Sequence, residues 1–311
     1  MNDRTDLPAK DLHLQKPQWL KTPIARGQTF FAIKKDLRER KLFTVCEEAK
    51  CPNISQCWNG GTATFMILGD VCTRACRFCH IKTGDPQQWL DPHEPDHVAE
   101  QAKSLKLKYA VITMVDRDDL PDGGAQHVRR VIERVKEVNP GLNVEILTGD
   151  FRADERSLRH IVESSPHVFA HNLETVRRLT PRVRDARAGY EQSLRVLRMV
   201  RDMSGGHLHT KSALMLGLGE EREEVSQTLQ DLKAHGVDLI TIGQYMRPTK
   251  KHLSIKRWVS PEEFDEVAQE AKSMGFLSVA SGPLVRSSYM ASDFYAKAMG
   301  TIKEPRQNER D

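Results

Sequence analysis

The sequence predicts an α/β fold, a partial (βα)6 barrel of the TIM type with N-terminal and C-terminal extensions covering its open mouth. Two observations carry this. Short apolar runs alternate with amphipathic stretches of helical length, and the alternation persists from about residue 59 to residue 259. Strands separated by helices pair in parallel, because a crossover helix returns the chain to the same end of the sheet.

Each element has its own signal. The first run is TATFMILG, Thr62 to Gly69, followed by a polar loop rich in cysteine. A helix near 96–106 leads to the apolar run Tyr109 to Val115, and a helix near 125–138 leads to a strand from Asn143 to Leu147. A helix near 154–163 precedes a strand from His167 to His171. Helices near 190–202 and 220–235 precede strands from His209 to Leu216 and from Asp238 to Tyr245. Six strands make an open or partial barrel, whose active site belongs at the C-terminal ends of the strands.

The flanks differ in kind. Residues 1–58 contain Pro8, Pro17, Trp19 and Pro23 without a βα unit, which predicts an extended wrap over the barrel. Residues 260–311 form a C-terminal extension that opens on SPEEF. There Ser260 followed by Pro261 and two acids has helix-start chemistry. The extension continues through GPLVRSSYMASDFYAKAM to a polar tail.

Composition narrows the function classes. With 47 Lys and Arg against 43 Asp and Glu, the formal charge is only +4, which argues against a strongly basic nucleic-acid binder. The apolar runs, such as Phe65 to Leu68, fall far short of the roughly 20 residues of a membrane span. The first residues lack the features of a secretory or organellar leader, so the expected location is the cytoplasm, with no membrane and no nucleic-acid partner.

All six cysteines lie between positions 46 and 79, as two triplets: Cys46, Cys51 and Cys57, then Cys72, Cys76 and Cys79. Disulfides are disfavoured in a reducing compartment for a chain long enough to build its own core. Structural zinc prefers four ligands in paired CxxC units, and only Cys76 and Cys79 make such a pair. A 4Fe-4S cluster held by three cysteines leaves one iron open, as a catalytic centre requires.

The string GDVCTRACRFCH, with Phe78 before the last cysteine, resembles the CxxxCxΦC signature of the radical S-adenosylmethionine superfamily. The first triplet, RSSY at Arg286 to Tyr289, and PQWLK at Pro17 to Lys21 resemble, in the same order, the lipoyl synthase family over roughly residues 17–299. The resemblance implies insertion of two sulfur atoms at C6 and C8 of a protein-bound octanoyl-lysine. Such C–H bonds offer no acidic proton, so radical abstraction replaces acid–base chemistry. The runner-up is another sulfur-inserting radical enzyme, such as a methylthiotransferase.

The same resemblance implies S-adenosylmethionine and two 4Fe-4S clusters. Cys72, Cys76 and Cys79 would hold the radical-generating cluster. Cys46, Cys51, Cys57 and Ser288 would hold an auxiliary cluster that donates sulfur, Ser287 being the alternative to Ser288. Phe78 would pack on adenine, Thr113 and Asp116 would meet the methionine amino group, and Asn172 and Glu174 the ribose. Arg182 would hold the methionine carboxylate, and Lys211 and Ser212 complete the cofactor cradle. GLGE, Gly217 to Glu220, looks like an adenine motif. Implied partners are an octanoylated carrier domain (a glycine cleavage H protein or the lipoyl domain of a 2-oxoacid dehydrogenase E2), an electron donor such as flavodoxin or ferredoxin, and an iron–sulfur cluster carrier. Two basic stretches, Arg177 to Arg187 and Lys250 to Arg257, read mostly as solvated faces, or as docking sites for an acidic carrier.

Overall fold

A computed structural model describes residues 16–21, 31, 53–59 and 62–301. Strands β1 (Thr62–Ile67), β4 (Tyr109–Met114), β5 (Asn143–Leu147), β6 (Val168–Ala170), β7 (His209–Leu216), β8 (Leu239–Gln244) and β9 (Ser278–Gly282) form one sheet in that order. All its pairings are parallel. Two short strands in the cysteine loop, β2 (Val71–Cys72) and β3 (Lys82–Thr83), pair separately. The six expected strands are present within two residues of their expected bounds.

The expected strand count and the boundary at residue 260 need correction. The helix Pro261–Ser273, capped by Ser260 Oγ accepting the Glu263 amide, is followed by β9, which pairs with β8 from Leu239↔Ser278 onward. The barrel therefore has seven strands. The run SVASG escaped notice because it is short, small and half-exposed, with too little apolar weight to mark a strand.

Alternation along each strand assigns the two faces. Ala110, Ile112, Val144, Ile146, Ile240 and Ile242 belong to the main core with the outer helices. The opposite face carries Tyr109 and Val111, which pack on Ala291, and Val168 and Leu239, which pack on Phe294. Ala291 and Phe294 lie on the helix Ala291–Ala298. On the same helix, the Tyr295 ring stands 5.6 Å from Tyr109, 6.3 Å from His167 and 6.2 Å from His209. In a flat sheet β4 and β7 would lie about 14 Å apart, so one ring can reach both only if the sheet curls around it.

That contact places the last helix of the C-terminal extension away from the mouth. Tyr109 and His209 open their strands, so the helix Ala291–Ala298 closes the N-terminal end, away from the cysteines. The chain reaches it along the inner face. A Cβ on Gly243 would stand 2.0 Å from the Val285 carbonyl oxygen, so only glycine admits the segment there.

At this closed end Glu145 accepts hydrogen bonds from Tyr109 Oη at 2.8 Å and Lys211 Nζ at 2.7 Å, with both side chains of the ion pair almost fully buried. Lys211 is thus a structural cation at the barrel base, not part of a cofactor cradle. Removing one member of such a pair strands a buried charge, so Lys211→Met is expected to destabilise the protein by about 3–5 kcal/mol in anaerobic urea unfolding. The double variant Lys211→Met/Glu145→Leu should recover most of the loss.

Candidate active site

The cysteine loop leaves β1 through Leu68 and Gly69, both left-handed at φ 68° and 88°. Leucine rarely adopts this conformation, and here the surroundings impose it. The Leu68 amide donates to Glu94 at 2.9 Å, and Arg117 donates to the Leu68 carbonyl at 3.0 Å. Glu94 also meets His127 Nε2 at 2.7 Å, which fixes the carboxylate.

Within the loop, Arg74 is the organising side chain. Its guanidinium donates to Asp150 at 2.7 and 2.8 Å and to Asp118 at 2.9 and 3.0 Å, and it lies 3.6 Å from Asp116. These aspartates follow β4 and β5, so the strand ends grip the loop through one planar fork. Asp150 is buried, which works against ionisation, yet the Arg74 hydrogen bonds hold its carboxyl well below the usual range. Burial dominates at Asp116 and raises it to about 6. Gly149 lets Asp116 pack closely, since a Cβ there would stand 2.1 Å from Asp116 Oδ1.

Backbone contacts fix the three sulfurs. The Arg74 amide donates to Cys72 Sγ at 3.4 Å and the Asp185 amide to Cys76 Sγ at 3.3 Å. Asp185 in turn accepts the Ala75 amide at 2.8 Å. The Arg77 amide donates to the Val183 carbonyl, the Leu253 amide donates to the Arg77 carbonyl, and His252 Nε2 donates to the Cys79 carbonyl at 2.9 Å while Nδ1 accepts from Thr249. Loops after β6 and β8 thereby clamp the cysteine loop from two sides.

Burial raises the Cys72 thiol to about 11 and the Cys76 thiol to about 12, and it raises Cys79 as well. Left alone, these thiols stay protonated at neutral pH and make poor nucleophiles. They suit a centre that displaces their protons and accepts amide N–H···S contacts. Among the described residues no group of three or more His, Cys, Asp or Glu side chains is arranged to hold a single metal ion.

Of the expected cofactor contacts, Asp116 and Glu174 come to the cysteines. Their negative charge is felt at Cys79. Glu174 adopts φ 70° and is held so by its amide bonding the Ala213 carbonyl and its carbonyl accepting the Met215 amide. Burial raises its carboxyl. Asn172 Nδ2 donates to Glu174 at 3.1 Å, while Asn172 Oδ1 is buried with no hydrogen-bond donor among the described residues. An orphaned buried acceptor beside a carboxylate is a place for a hydroxyl-bearing ligand. Thr113 is buried on the inner face of β4, and Phe78 packs half-buried against the main core.

Other expected residues have protein partners or face solvent. Ser212 Oγ accepts the Leu173 amide at 3.1 Å and is fully buried in that role. Glu220 accepts the Gly217 and Leu218 amides at 2.6 and 2.9 Å, so it closes its own turn. Arg182 is exposed, and only its carbonyl meets the loop. The inward arginine is Arg184, buried, donating to Ser193 Oγ at 2.7 Å and near enough to Cys76 to lower its thiol. Arg184 sits in RVRDAR, where charge and spacing do not distinguish it from its exposed neighbours, and nothing in the sequence marks Arg74 as a clamp.

Of the first triplet, Cys57 lies buried on the helix Ile54–Asn59, while Cys46 and Cys51 lie outside the described residues. Asn53 Nδ2 donates to the Leu284 carbonyl at 2.6 Å, tying this region to the segment that enters RSSY. Ser287 and Ser288 occupy a turn closed by the Tyr289 amide bonding the Arg286 carbonyl at 3.0 Å.

Comparison with known proteins identifies the family. A model of the radical SAM superfamily matches residues 66–232, and a model of the N-terminal domain of lipoyl synthase matches residues 1–51. The lipoyl synthase of Myxococcus xanthus is 51% identical over 92% of this chain and 95% of its own length. The mitochondrial lipoyl synthase of Candida tropicalis is 50% identical over 99% of this chain and 82% of its own. Among solved structures, the FeFe-hydrogenase maturase HydG from Carboxydothermus hydrogenoformans aligns with a TM-score of 0.56 at 10% identity, over 81% of this chain and 57% of its own. At that identity the likeness shows the fold alone.

His171 gives a pH test of the site's frame. Its Nδ1 donates to the Thr148 carbonyl at 2.9 Å and its Nε2 accepts from Ser193 at 2.8 Å, and burial lowers it to about 4. The unfolded chain binds a proton between pH 6.5 and 4 that the folded chain refuses, so stability is full above about 6.5 and falls by about 3 kcal/mol as pH drops toward 4. Urea unfolding of His171→Gln against the parent should show this part of the pH dependence missing from the variant.

Proposed function

The chain belongs to the lipoyl synthase family of radical S-adenosylmethionine enzymes, and from that premise we propose how its residues divide the work. The activity is radical-mediated sulfur insertion at C6 and C8 of a protein-bound octanoyl-lysine, giving the lipoyl cofactor, and it uses S-adenosylmethionine and a 4Fe-4S cluster. In our reading Cys72, Cys76 and Cys79 hold that cluster. Cys46, Cys51, Cys57 and Ser288 hold a second one. The observation that carries the second assignment is the hydrogen bond from Asn53, inside the first triplet, to Leu284, just ahead of RSSY.

When bound, the first cluster supplies the electron that cleaves S-adenosylmethionine to a 5′-deoxyadenosyl radical able to abstract hydrogen from an unactivated carbon. The second supplies sulfur. The chain's own groups bind and orient. Asn172 Oδ1 and the Glu174 carboxylate accept the ribose hydroxyls, an assignment supported by the orphaned acceptor. Arg184, held by Ser193, takes the methionine carboxylate in place of Arg182. Thr113 and Asp116 meet the amino group, and Phe78 packs on adenine. Ser288 offers a hard oxygen to iron otherwise bound by soft sulfur, which makes it the ligand that releases.

The partners are an octanoylated carrier domain, an electron donor and a cluster carrier that restores the consumed sulfur source. No helix among the described residues is long and apolar enough to cross a membrane. We place the reaction in the cytoplasm from the cysteine usage. Fractionation tests this, since the Candida tropicalis relative is mitochondrial.

The test is an anaerobic assay with an octanoyl-lysyl peptide that follows 5′-deoxyadenosine and product mass. Cys76→Ala should abolish 5′-deoxyadenosine, and a normal rate would refute the first assignment. Ser288→Ala should keep cleavage and lower lipoyl product by at least about tenfold, and product at the parent rate would refute the second. Arg184→Gln should raise the KM for S-adenosylmethionine by about tenfold or more, with Arg182→Gln near the parent.

A further inference from the structure

The arginines over most of the surface are neutralised in place. Arg129 pairs with Glu133 and Glu163, Arg134 with Asp96 and Glu137, and Arg159 with Glu155. Arg178 pairs with Glu224, Arg198 with Asp202, and Arg187 with Asp185 and Asp118.

The outer side of the cysteine loop is different. Exposed Arg77 lies between Cys76 and Cys79, and its guanidinium reaches the carbonyl of exposed Arg182. The Arg77 carbonyl accepts the Leu253 amide, which brings up the loop bearing exposed Lys250 and Lys251. Arg247 fixes that loop by donating to the Thr249, Lys250 and His252 carbonyls. Among the described residues, none of these five cations has a carboxylate within ion-pair distance. They leave an uncompensated positive patch against the backbone that joins two cluster ligands.

We propose that this patch docks an acidic one-electron carrier protein that reduces the enzyme. The inference rests on the reading above that Cys72, Cys76 and Cys79 hold a cluster. One electron leaves the carrier and is accepted there, and it is the electron that reductive cleavage consumes.

Location distinguishes this occupant from the octanoylated domain. An octanoyl-lysine arm reaches inward from a domain that stands off at the barrel mouth. An electron carrier has no arm, so its own surface must come close to the cluster, and Ala75 and Arg77 are the exposed residues between the first and third cysteines of this loop. The fixed Lys250–Lys251 loop gives the patch a defined shape, and charge of this kind raises association rates.

The experiment measures initial 5′-deoxyadenosine formation with reduced flavodoxin or with dithionite as donor. With flavodoxin, the parent rate should fall several-fold between about 50 and 300 mM salt. Lys250→Glu/Lys251→Glu and, separately, Arg182→Glu should lower kcat/KM for flavodoxin by at least about tenfold, with the dithionite rate and the KM for an octanoylated carrier unchanged. Unchanged kcat/KM for flavodoxin in both variants overturns the proposal. A raised KM for the octanoylated carrier with flavodoxin kinetics intact assigns the patch to that domain and overturns it too. No 5′-deoxyadenosine from the parent with dithionite would instead refute the cluster reading itself.

Discussion

The cysteine loop depends on a single guanidinium. Arg74 sits in a buried place where three aspartates converge, and without it Asp116, Asp118 and Asp150 would repel one another in a low-dielectric setting. Asp150 is kept ionised there mainly by Arg74, and Arg74 cannot be buried without its carboxylate partners. Each is fixed to a different piece of backbone, so satisfying the charges also sets where Cys72 and Cys76 stand relative to the ends of β4 and β5. The geometry of the site thus follows from charge balance as much as from hydrophobic packing.

A second frame of hydrogen bonds meets the first. Thr148, His171, Ser193 and Arg184 form one chain, with a neutral imidazole at its centre. A protonated His171 would donate through Nε2 instead of accepting there, so Ser193 would lose the acceptor that orients its hydroxyl while its oxygen receives Arg184. Burial keeps the ring neutral, and the neutral ring keeps Arg184 directed at the cysteines. Helices of ordinary composition deliver this: Ser193 lies on the helix Tyr190–Met203, whose apolar face makes core contacts through Leu194 and Leu197.

The sequence announced what is periodic or clustered. Six strands were legible because Val, Ile and Leu runs recur between amphipathic helices, and the cysteines were legible because spacing alone separates them into two sets. Asn172 and Glu174 stand out in the sequence because they follow a strand end. The seventh strand was not, since SVASG lacks apolar weight and is recognised only by its pairing with β8. Arg184 and Arg182 illustrate a harder limit. They carry the same charge two positions apart, and which one turns inward is decided by a Ser193 hydroxyl on another element. Lys211 shows the reverse error, because a polar residue inside a strand invites a functional reading when its partner, Glu145, lies two strands away.

The bond between Asn53 and Leu284 spans 231 residues of chain. During synthesis the amino-terminal partner leaves the ribosome long before the carboxy-terminal one exists, and the segment holding Leu284 must still pass Gly243 along the inside of the curled sheet. The contact between the start of the helix that carries Cys57 and the carboxy-terminal segment therefore forms late. Its completion reports that almost the entire polypeptide has been made, so a prematurely ended chain cannot form it.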